Sequence, residues 1–303
     1  MLVRRDGVVI GQPAHAWVSG QLARAWGNAS FPRPSPREPF CLAAEQHDVG
    51  WSDADLSPAI GDDGRPLSFM QQPRPAHVAI WRGAASRLLA QSRYAALLVS
   101  LHGTSLYERV DATPETAALI RSYLAEQRAL QERLIEGLDR EEVDRNRRLL
   151  LVLDRLSLML CYGHASTLED VPAASGAVTL RLEPGDEGTP ASPAARDPTA
   201  PPSSAGPDDA APPSSADPDD AAPPSSAGPD AAPPSSAARD DRAVPPAAAT
   251  ARFVLDPWPF AAPLVIVGCE GRLLDGSYAS DDELRAALDA APWVPLRWEI
   301  SPG

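Results

Sequence analysis

Lysine is absent from the 303 residues, so all 27 cationic side chains are arginine. No run of them alternates with aromatics, and the net charge is −14, so the basic stripe that tracks a phosphate backbone is missing and nucleic acid is not an expected partner. Cysteine is scarce. Cys41, Cys161 and Cys269 stand far apart with no C-x-x-C spacing, which argues against both a disulfide framework and a thiolate zinc site. Long apolar runs are missing too. The opening residues, Met1 to Gly7, lack the apolar core of a signal peptide, and no stretch reaches the length of a membrane span. These absences lead to the expectation of a cytoplasmic protein with no membrane partner.

What is present is unevenly distributed. From 185 to 250 the hexapeptide Ala-Pro-Pro-Ser-Ser-Ala recurs about every 11 residues, starting at Ala200, Ala211, Ala222 and Ala232. These copies lack large apolar residues to bury against one another, so the stretch is expected to be a disordered insertion. Alternating apolar patterns flank it, at 178–182 before and at 252–255, 264–267 and 294–300 after, with a helix over 280–290 whose Ser280 and Glu283 are spaced as a capping box. A small α+β subdomain, 171–184 and 251–303, is therefore expected. Closing a long loop between two paired strands costs only about 0.6 kcal/mol more for each doubling of its length, so such an insertion is tolerable.

Residues 1 to about 170 read differently. Asp6-Gly7 between two β-prone runs predicts a short hairpin, and Pro13 suits the first turn of a helix carrying His15, Trp17, Val18, Leu22 and Trp26. Helical periodicity then predicts segments at 40–48, 76–91, 94–108, 114–138 and 141–162. The fold class expected from this pattern is mainly α, a helical bundle with the small α+β subdomain appended.

Histidine is rare, with five in the chain, yet four of them precede Asp154 in the order His15, His47-Asp48, His77, His102. Neighbouring helical residues diverge by about 100°, so His47 and Asp48 can share a centre only in the wedge between them near a helix end, where Gly50 leaves room for approach. Imidazole suits Zn or Fe and a carboxylate can bridge two ions, so the dyad fits a metal centre in which His47 and Asp48 carry the catalysis. Asp154 lies in an apolar helix and shares a face with Leu150, Ser157, Leu158 and Cys161; an unpaired ionised carboxylate there would cost several kcal/mol. A metal ion, an arginine such as Arg148, or a hydrogen bond from a tyrosine or a backbone group is expected to meet it. His164 lies beyond the helix end and is expected at the surface.

This helical region, with its order of His15, His47-Asp48 and Asp154, resembles the HD-domain superfamily of metal-dependent phosphohydrolases. His77 and His102 between the dyad and the final Asp make it similar to the two-metal members, which include phosphodiesterases, nucleotide hydrolases and diiron oxygenases. The resemblance implies an HD-like helical bundle and one or two divalent ions (Fe, Mn, Zn or Mg) on His15, His47, Asp48, His77, His102 and Asp154. It also implies a small, anionic substrate, with Arg74, Arg82 or Arg87 as candidate anion contacts. A diiron oxygenase or a non-catalytic HD-like binding module is the alternative. Through Glu45–Trp51, Leu98–Gly103 and Asp256–Phe260 the chain looks closer still to the uncharacterised bacterial domain-of-unknown-function family 3891. It lacks the Gly-Tyr-Pro signature of cyclic-dinucleotide phosphodiesterases.

Overall fold

A computed structural model describes residues 1–108, 113–185, 250–274 and 276–303. The repeat expected to be disordered over 185–250 lies, apart from its two end residues, outside the described residues.

The helices follow the local signals. Pro13 sits in the first turn of α1 (Gln12–Ala25), where its missing N–H costs nothing. Then come α2 (Arg37–Gln46), the single-turn α3 (Ser52–Leu56), α4 (Arg74–Ala84), α5 (Arg93–Ser105) and α6 (Pro114–Leu134). The long α7 (Arg140–Tyr162) opens with Asp139 accepting from the Glu141 and Glu142 N–H groups and closes on Gly163 at φ 73°. Near the C-terminus, α8 (Asp281–Ala290) is capped by Ser280, whose Oγ accepts from the Glu283 N–H. The Glu283 carboxylate answers on the Ala279 N–H, one residue before the cap position.

The mainly-α expectation is wrong: the chain is α+β, with a seven-stranded mixed sheet. The strands are β1 (Leu2–Val3), β2 (Val8–Ile10), β3 (Ser166–Ala173), β4 (Gly176–Pro184), β5 (Ala251–Asp256), β6 (Val265–Leu273) and β7 (Trp293–Pro302), in the order β1-β2-β6-β7-β5-β4-β3. The β5–β7 pair is parallel and every other pair antiparallel. The N-terminal hairpin, turned at Gly7 with φ 84°, is not an isolated ribbon. It joins the C-terminal strands through Val8↔Leu273 and Val9↔Arg272. A pairing across some 260 positions leaves no local trace in the sequence, and this is why the sheet was underestimated. Residue 170 lies inside β3.

One apolar cluster runs from Leu2 and Ile10 through Leu22, Leu97, Leu150 and Leu153 to Leu255 and Ile300. Helix α1 is fastened to the sheet by Gln21, whose amide donates to the Gly268 carbonyl at 2.7 Å and accepts from the Gly268 N–H at 3.1 Å. Its C-terminal end is held by the Asp256–Phe260 segment. There the Gly27 N–H donates to the Pro259 carbonyl at 3.0 Å, and Asn28 donates to the carbonyls of Trp258 and Phe260. The C-terminal half of the helix that carries His15 is thus fastened to the sheet and to the Asp256–Phe260 segment.

Candidate metal centre

Four elements converge on one polar point in the apolar interior. Helix α1 supplies His15, the C-terminal end of α2 supplies His47 with Asp48 directly after it, α5 supplies His102, and α7 supplies Asp154. His15, His47, Asp48 and His102 are all buried, and the Asp154 side chain is 16% exposed. Donor atoms of His15, His47 and Asp154 lie within 4.8 Å of one another. His15 Nε2 is 2.6 Å from Asp48 Oδ2; His47 Nε2 is 3.3 Å from Asp154 Oδ1 and 3.7 Å from Asp48 Oδ2. His102 Nε2 lies 3.7 Å from Asp154 Oδ2, and the His47 ring centroid is 5.1 Å from that of His15 and 4.9 Å from that of His102.

The outer contacts decide which ring nitrogen faces inward. His47 donates from Nδ1 to the Ala44 carbonyl at 2.9 Å, which turns Nε2 toward the two carboxylates, where it is buried and makes no hydrogen bond. Ser157 Oγ donates to the Asp154 carbonyl at 2.8 Å and accepts from Ser19 Oγ at 2.9 Å, so its 2.9 Å contact with His15 Nδ1 has the imidazole donating. His15 Nε2 is thereby turned toward the Asp48 carboxylate, and a cation between them would meet these two atoms. Each inward nitrogen is set by a partner on the other side of its ring, as in metal-ligating histidines generally.

The family described as protein of unknown function, DUF3891, matches residues 1–276. The chain belongs to this family. No curated protein and no solved structure matches it. The match to DUF3891 takes in every residue of the cluster and the Asp256–Phe260 segment that holds the end of α1.

Electrostatics in this DUF3891 protein follow from two carboxylates enclosed among imidazoles. Burial disfavours a charged His47, but Asp48 and Asp154 outweigh it and raise its pKa to about 9. Burial likewise works against an ionised Asp154, yet His47, His102 and His15 hold its carboxyl well below the usual range. His102 goes the other way: burial lowers it to about 4 despite the pull of Asp154, so it is a neutral ring with its Nδ1 unpartnered. Arg148, the arginine considered for Asp154, forms an ion pair with Asp144 at 3.1 Å instead. Among the described residues the ion pairs of Asp154 are all with histidines.

Five of the six residues singled out from the sequence come together. His77 stays apart: no carboxylate oxygen lies within 4.0 Å of it among the described residues, and its Nδ1 is bonded to the Tyr107 hydroxyl. Of the candidate anion contacts, Arg82 pairs with Glu126 and Arg87 with Asp53, while Arg74 lies with its Cζ 5.8 Å from the Tyr107 ring centroid. His164 is exposed, as expected. Sequence reasoning placed Ser157 on the helix face of Asp154 without giving it a role, and it missed Ser19, whose spacing of four residues from His15 puts it on that helix's same face and could have flagged it. Ala44 contributes only a carbonyl and Tyr107 only its place in space, so neither carries a sequence signal.

Proposed function

We propose that this protein is a metal-dependent hydrolase of phosphoesters, holding a divalent ion on His15, His47, Asp48 and Asp154, with His102 within reach. The observation that carries the proposal is the buried, unbonded Nε2 of His47, turned toward two carboxylates by the bond from Nδ1 to Ala44. An ion bound there would meet His47 Nε2 and both carboxylates at once, taking the place of the proton and offsetting the charge of Asp48 and Asp154. The donor set of two to three imidazoles and two carboxylates suits Zn, Fe or Mn. The order His, His-Asp, Asp is the one in which the chain resembles the HD superfamily, and these are the residues that meet here.

When bound, such an ion supplies Lewis acidity, acidifying a water and offsetting charge on phosphoryl oxygens. The chain does the rest. Ser157 and Ala44 orient the two imidazoles, the burial of His15, His47, Asp48 and His102 keeps bulk water from them, and Asp48, beside both His15 and His47, is the carboxylate placed to accept a proton. Nothing in the geometry favours the diiron oxygenase alternative, which would call on His77 as a ligand.

Elemental analysis of the purified protein, paired with hydrolysis of bis(4-nitrophenyl) phosphate after loading with Zn, Mn or Fe, tests the proposal. One equivalent of metal and turnover, both lost in His47→Ala, are expected. Unchanged metal content in that variant would sink the metal reading, and metal without turnover would sink the hydrolase reading.

A further inference from the structure

His77 and His47 carry opposite kinds of partner on the same nitrogen. The Nδ1 of His47 faces a carbonyl, which can only accept. The Nδ1 of His77 faces the hydroxyl of Tyr107, a residue just past the end of α5. Tyr107 is buried, and its hydroxyl is bonded to His77 with the Arg74 guanidinium also in reach. The other polar group against that phenol, the Arg74 guanidinium, has donors and no acceptor. The Tyr107 hydrogen therefore goes to His77 Nδ1, and the His77 proton goes to Nε2.

We propose that Tyr107 fixes His77 as the Nε2–H tautomer, making it a hydrogen-bond donor to an anionic oxygen of the substrate and not a ligand of a second ion. The second half of this statement rests on the metal-centre reading above; the tautomer does not. His77 is half-buried and placed for such a role. Trp81 neighbours both His77 and His102, at centroid distances of 6.4 and 5.4 Å, and Trp51, three residues after Asp48, stands 5.3 Å from His77. The ring thus lies one aromatic layer from the centre, with the Arg74 guanidinium near enough to act on it electrostatically. Burial and Arg74 also keep His77 uncharged, with a pKa near 4, so its Nε2–H is the hydrogen of a neutral ring. Tyr107 acts through His77 and is a positioning residue.

The test is a two-bond proton–nitrogen correlation spectrum of protein labelled with nitrogen-15 in its five histidines, recorded metal-free and zinc-loaded, with His77→Ala for assignment. In both states His77 should show an unprotonated Nδ1 and a protonated Nε2, and Tyr107→Phe should shift it to the other tautomer or to a mixture. Zinc should stay at one equivalent per chain in His77→Ala, while inorganic phosphate binds the zinc-loaded variant about tenfold more weakly. An Nδ1–H signature in the wild type, or two zinc ions per chain falling to one in His77→Ala, would overturn the inference. If no zinc is retained by any variant, the hydrolase proposal fails by itself and the metal-free spectrum still decides the tautomer.

Discussion

The 2.9 Å bond from His47 Nδ1 to the Ala44 carbonyl commits the opposite nitrogen to a space bounded by Asp48 and Asp154. In the metal-free protein that nitrogen keeps a proton up to about pH 9, because the two carboxylates outweigh burial. Proton and metal then compete for one atom. Zinc affinity, measured against a competing chelator, should rise about tenfold for each pH unit between 7 and 9 and level off above. A flat profile over that range would show that His47 is not a ligand.

Folding stability without metal should have an optimum near pH 6.5. His77 and His102 have folded pKa values lowered to about 4, so the stability they contribute is present above the unfolded value of about 6.5 and is lost as pH falls through 4. His47 is raised to about 9, so its contribution is complete below about 6.5 and is lost as pH rises through 9. Chemical denaturation with a chelator present at pH 5, 6.5 and 8 should give the largest unfolding free energy at the middle value. Saturating zinc should abolish the alkaline decline, since the metal takes the place of the proton.

How much of this was legible beforehand depended on range along the chain. The helices from α4 to α7 announce themselves through periodicity, Pro114 and Asp139. The Gly7 hairpin and the Ser280 cap are likewise local chemistry. The five converging side chains were found because rare residue types stand out and because a carboxylate among leucines, Asp154, demands a partner. The pairing of β2 with β6 was not legible because its partners stand some 260 positions apart. Strand β3 was passed over although its partner β4 follows directly, with Ala173 opposite Gly176, and together these strands turn the expected helical bundle into an α+β fold. His77 is the same residue type as the converging imidazoles, and only its bond to Tyr107, thirty residues on, separates it from them.

Ser157→Ala should weaken metal binding without unfolding the protein. The serine accepts from His15 Nδ1 and from Ser19, and its removal leaves the imidazole free to rotate or to change tautomer. Loss of such an outer partner typically costs about 10–100-fold in metal affinity. Isothermal titration with zinc would measure it, with Ser157→Thr, which keeps the hydroxyl, as the rescuing variant. Wild-type affinity in Ser157→Ala would mean that His15 does not depend on this contact.

Gly50 looked from the sequence like a residue that makes room at the metal, but the structure gives it another task. A Cβ at this position would lie 2.6 Å from the Ile80 carbonyl oxygen and 3.1 Å from the Ala84 Cβ, so the glycine is what lets α4 lie against the turn after the His47-Asp48 dyad. The obstacle is backbone, which cannot swing aside like a side chain. Gly50→Ala should therefore destabilise the fold by about 1–3 kcal/mol, in the range of overpacked cores. It should also displace α4 together with His77 and Trp81. Because Asp48 and His47 precede the clash and are anchored through α2, zinc stoichiometry should persist at low temperature while the melting temperature falls. A variant that melts like the wild type would show that α4 can retreat without cost, and the tight approach of α4 would then have no structural importance.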